Sequence, residues 1–162
     1  MKKLIYLGFI VIFFSSCFRG EKEVFLIPEG FEGPVFVMVD ESTGLPIKRE
    51  EKKRIYEIPS DGVLYTQFDN QEKYIDIEYF YVSMNGAKTP IDHIQIQHLS
   101  ETEKEEILDS KVYWPLVYGG KGDRSFIVGK PKDLKRHLDK LEEMKKEVFK
   151  DGTVIMHAKE KE

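Results

Sequence analysis

The apolar residues of this chain fall into three kinds of run. The first opens it: Leu4 to Phe14 is apolar except for Gly8 and the phenol of Tyr6, and it follows Met1-Lys2-Lys3. As a helix this run would rise only about 16 Å, and a bilayer core needs about 20 residues. A basic start, a short apolar run and then small residues form the pattern of a secretory leader.

The second kind is short and β-like. Val24 to Ile27 reads as a strand stopped by Pro28 and Gly30, and Val35 to Val39 as a strand covered on both faces. Asp40 to Gly44 is turn chemistry, and Lys48 to Arg54 a charged loop or exposed edge. Arg54 to Ile58 and Val63 to Phe68 flank Pro59-Ser60-Asp61-Gly62, which predicts a hairpin. In 74–82, Ile75, Ile77, Tyr79 and Tyr81 share one face opposite Asp76 and Glu78. Asn85-Gly86 marks a tight turn before a second alternating stretch, Ile91 to Leu99. Val112 to Tyr118 and Ser125 to Val128 complete the strands, with Thr153 to Met156 as a last edge.

The third kind is helical. Ser100 and Glu103 have the spacing of a capping box at the start of a short helix whose apolar side Ile107-Leu108 supply. Pro131 suits a first helical turn, and Leu134, Leu138, Leu141, Met144 and Val148 make one apolar stripe that ends before Asp151-Gly152. The order predicts a mostly β, α+β fold: a β-sandwich with one late amphipathic helix packed on it. The expected division is a leader over 1–16, a tether over 17–23, one β-rich domain over 24–157 with its helix at 131–150, and a tail over 158–162.

Charge and cysteine content narrow the class. Removing the leader with its two lysines leaves 146 residues and takes the formal charge from −4 to −6. That is enough chain for a real core, and the acidity argues against a nucleic-acid partner. Cys17 is the only cysteine, so no internal disulfide forms.

Phe14-Ser15-Ser16-Cys17 resembles the lipobox of bacterial lipoproteins, with Phe14 where leucine is usual. The resemblance implies cleavage between Ser16 and Cys17, lipid on the Cys17 sulfur, and a place in the cell envelope on a membrane. Leu26-Ile27-Pro28-Glu29-Gly30-Phe31-Glu32-Gly33 resembles the opening of an uncharacterised family of bacterial lipoproteins, and Tyr56 to Leu64 resembles its next segment. These prolines and glycines carry fold rather than chemistry. The layout is also similar to transthyretin-like and carboxypeptidase-regulatory-like sandwiches.

Four places could hold a site. Gly119-Gly120-Lys121-Gly122-Asp123-Arg124 could offer backbone amides and two cations to an anion, or be a hairpin turn; the P-loop spacing is absent. Lys130, Lys132, Lys135 and Arg136 crowd the start of the late helix, where cations oppose the dipole; they mark an anion or partner surface, or a solvated face. Tyr113, Trp114, Tyr118 and Phe126 stack on a ligand if exposed and are core if buried. His93, His98, His137 and His157 are scattered, and Asp92-His93 diverge on a strand. Neither a metal set nor a cofactor or catalytic motif is present in the sequence. The leading expectation is a non-enzymatic, membrane-anchored lipoprotein that binds an envelope protein or polymer. An inhibitor or immunity-type lipoprotein and a hydrolase with an unfamiliar site are the alternatives.

Overall fold

The structure, a computed structural model, describes residues 21–70, 76–96, 99–107, 109–114 and 123–149. Two five-stranded sheets pack face to face. The first holds β1 (Lys22–Pro28), β3 (Arg49–Glu50), β4 (Lys53–Glu57), β6 (Ile77–Val82) and β7 (Lys88–Pro90) in the spatial order β3-β4-β1-β6-β7. The second holds β2 (Gly33–Met38), β5 (Val63–Tyr65), β8 (His93–Gln95), β9 (Lys111–Trp114) and β10 (Asp123–Gly129) in the order β5-β2-β10-β9-β8. Both sheets are mixed. β1 runs parallel to β4 and β6, β2 to β5, and β8 to β9, while the other pairs are antiparallel.

Alternation along β1 explains its central place. Phe25 and Ile27 point between the sheets, where Phe25 stacks on Tyr56 and Tyr79 and meets Phe126 edge-on. Val24 and Leu26 point the other way, into a second apolar cluster with Ile55, Phe80 and Val82. The helix α1 (Glu101–Glu106) starts with the expected capping box: Ser100 Oγ accepts from the Glu103 N–H, and the Glu103 carboxylate accepts from the Ser100 N–H. A 3-10 turn, Pro131–Asp133, leads into α2 (Leu134–Val148). α2 lies on the outer face of the second sheet, with Leu141 and Val148 on Phe36 and Met38, and Leu134 on Tyr113 and Ile127.

Two expectations are corrected. β4 and β5 do not form a hairpin. The Pro59–Gly62 turn reverses the chain but also carries it out of one sheet into the other, where β5 pairs with β2. Gly62 has φ +81, and a Cβ there would lie 2.4 Å from the Pro34 carbonyl oxygen, so the corner is closed by glycine alone. Ile91 to Leu99 is not one strand either. The Ile91 N–H donates to Tyr79 O in the first sheet and Asp92 O accepts from the Val112 N–H in the second, so the chain changes layer between adjacent residues. Thr153 to Met156 lies outside the described residues.

The register gives the sandwich two poles. β1 begins at the proximal pole and ends about 20 Å away, at roughly 3.3 Å per residue, at the distal pole. β2 returns to the proximal pole, β10 runs out to the distal one, and α2 comes back along the second sheet.

Candidate functional site

At the distal pole, the loop after β1, the strand β7 and the start of β9 surround an open cleft of about 480 Å³. Glu32, Asp92, Asp109, Ser110 and Lys111 line it, with Tyr81 at its side. Gly30, at φ +75, lets the β1–β2 loop turn tightly enough to bring Glu32 there. The polar groups are largely matched to one another. Ser110 Oγ donates to Glu32 Oε1, Lys111 Nζ lies 2.7 Å from Asp92 Oδ2, and the Tyr81 hydroxyl donates to Phe31 O at 3.2 Å. The Lys111 ammonium holds the Asp92 carboxyl below the usual carboxylate range, and burial pushes the Tyr81 phenol up.

Among the described residues no histidine lines the cleft, and a serine hydroxyl that donates to a carboxylate without an imidazole between them is not an activated nucleophile. Among the described residues no three metal-ligating side chains gather. Three carboxylates face one ammonium, which favours a ligand that donates hydrogen bonds or carries positive charge.

The residues singled out in the sequence scatter. Ser16, Cys17, Tyr118 and Lys121 lie outside the described residues, as do His98 and His157. Trp114 ends β9. Tyr113 and Phe126 are fully buried, so they are core and not an exposed aromatic patch; burial lifts the Tyr113 phenol to about 12. Arg124 is not a free cation for an anion, since its guanidinium lies 3.2 Å from Glu23 Oε2. Lys132, Lys135 and Arg136 do share a shallow depression on the outer side of α2, with Lys140, Asp139 and Glu143. Arg136 pairs with Asp133 at 3.1 Å, and Lys130 is half-buried.

Two features carry little sequence signal. Glu23, fully buried at the proximal pole, accepts from the Tyr56 hydroxyl at 3.0 Å and from Arg124. Beside it the buried Arg54 bonds Glu21, Asp69 Oδ1 and Asp69 O, and lies over the Phe68 ring. Burial, then Glu23, drives the Tyr56 phenol far above its ordinary value. The second feature is His137, 5% exposed in the first turn of α2, with Nε2 against Gly129 and without a hydrogen-bond partner. Burial, with Arg136 adding to it, lowers its pKa.

A two-sheet sandwich with one helix on its back and a polar distal cleft is the class that fold and site define. The chain belongs to a family of unknown function, DUF6843, whose model matches residues 19–114. The match takes in the whole first sheet and stops before β10 and α2. Among solved structures, the chain is similar to a "Putative Lipoprotein from Bacillus anthracis", with a TM-score of 0.47 and 16% identity, over 78% of this chain and 95% of that one. No curated protein matches.

Proposed function

We propose that this protein is a lipid-anchored lipoprotein of the bacterial cell envelope that holds a protein or polymer partner in its distal cleft and performs no chemistry on it. The lipobox-like Ser15-Ser16-Cys17 and the basic, apolar leader before it support the anchor. No helix among the described residues is long and apolar enough to cross a membrane. The observation that carries the binding reading is the cleft itself: it opens at the pole opposite the N-terminal end of β1, and it sets the carboxylates of Glu32, Asp92 and Asp109 around the one ammonium of Lys111.

The test is a crosslinked pull-down from the native cells, comparing wild type, Glu32→Lys/Asp109→Lys and Cys17→Ser. One dominant partner, captured by wild type and lost in the folded cleft variant, supports the reading. Capture that survives the cleft variant but is lost on Lys132→Glu/Lys135→Glu would move the site to α2. Unchanged membrane fractionation of Cys17→Ser would refute the anchor.

A further inference from the structure

We propose that the proximal pole is a membrane-facing surface, held against lipid headgroups chiefly by the shortness of the tether. The inference rests on the Cys17 anchor. Between Cys17 and Glu21 lie four peptide steps, about 14 Å when fully extended at roughly 3.5 Å each. Glu21 is already fixed to the fold, with Oε2 2.8 Å from Arg54 Nε and Oε1 3.2 Å from Arg49 Nε. Strand β1 begins at the next residue. The tether is therefore shorter than the roughly 20 Å that β1 spans, so the domain cannot turn over and bring its distal pole to the bilayer. The two guanidinium groups on Glu21 also fix where the tether leaves the fold.

The chemistry of the pole leaves few free charges for headgroups. Among the described residues most of its cations are matched internally: Lys22 with Asp76 and Glu78, Lys53 with Glu78, Arg49 with Glu21, Arg54 with Glu21 and Asp69, and Arg124 with Glu23, while the exposed Lys52 of the β3–β4 turn makes no ion pair. Such a surface gains little from anionic headgroups, in contrast to a polybasic segment, where each cation contributes separately. Orientation by a short leash also keeps the domain from inverting to set the distal cleft face-down on the bilayer.

The experiment uses the full lipidated protein, purified in detergent and reconstituted into vesicles. Because Cys17 is the only cysteine and is blocked by lipid, a fluorophore can be placed at Lys52→Cys, exposed in the β3–β4 turn, or at Met84→Cys, fully exposed at the distal β6–β7 tip. With a headgroup-attached quencher, Lys52→Cys should lose at least half its emission and Met84→Cys almost none. Raising the anionic lipid fraction should leave both values unchanged. Inserting about 15 Gly/Ser residues between Gly20 and Glu21 should at least halve the difference. Equal quenching at the two positions in the wild type would overturn the orientation, and strong dependence on anionic lipid would replace the leash with a headgroup-binding patch. Failure of the wild type to float with vesicles would overturn the anchor reading instead, so the two failures are distinguishable.

Discussion

The two poles of the sandwich use the same residue types to opposite ends. At the proximal pole Glu23, Arg54 and Arg124 are drawn inward between the sheets, where each charge is satisfied by a partner on another strand or loop. At the distal pole Glu32, Asp92 and Lys111 stay at the surface of an open cleft. Desolvation separates them. A buried charge that loses its partner is costly to the whole fold, whereas a solvated pair is worth little. Proximal charges should therefore report on stability and distal ones on binding.

The largest effect that would break this contrast is at Glu23. Glu23→Ala leaves Arg124 and Tyr56 without their shared acceptor and should cost about 3 kcal/mol, read by urea unfolding of the soluble domain. A loss under 1 kcal/mol would mean that water replaces the carboxylate and that the pole is more open than described. Next comes Gly62→Ala, which meets both a left-handed φ and the Pro34 carbonyl and should cost at least about 2 kcal/mol. Gly86→Ala, at φ +84 in open space, should cost only about 1 kcal/mol by the same assay.

His137 sharpens the comparison through pH. Its folded pKa is lowered, so the folded state resists a proton that the unfolded chain accepts near pH 6.5. Its full contribution is present above that pH and is lost as pH falls through the lowered folded value. Thermal unfolding of the wild type between pH 7.5 and 5 should show a loss that His137→Phe reduces; identical slopes would exclude His137 as the cause. Smaller still, Glu51→Gly relieves φ +55 in the exposed β3–β4 turn and should stabilise by about 0.5–1 kcal/mol. Glu32→Lys/Asp109→Lys should change stability by no more than about 0.5 kcal/mol while abolishing partner capture.

Much of the fold was legible in the sequence, because its signals are local. The capping box at Ser100, the apolar stripe of α2 and the both-faces burial of Val35 to Met38 follow from spacing alone. Layer assignment is not local. Pro28, Pro59 and Pro90 each stand where the chain leaves the first sheet for the second, and a proline ends a ladder without saying which sheet comes next. The candidate site was less legible. Glu32, Asp92 and Asp109 come from three separate connections and Lys111 from the start of β9, and no motif links them. Arg124 read as a free loop cation because its partner, Glu23, is 101 residues away.

The position of β10 has a consequence for the order of events during synthesis. It is the last strand of the described chain, yet it lies in the middle of its sheet, hydrogen-bonded to β2 on one side and β9 on the other. Until Asp123 to Gly129 has emerged, β2 and β9 have nothing between them and the second layer cannot close. Folding waits on non-local pairing of this kind. Export through a translocation channel, as proposed for this chain, would gain from such a delay, because the strand that completes the sandwich is the last of the described strands to arrive.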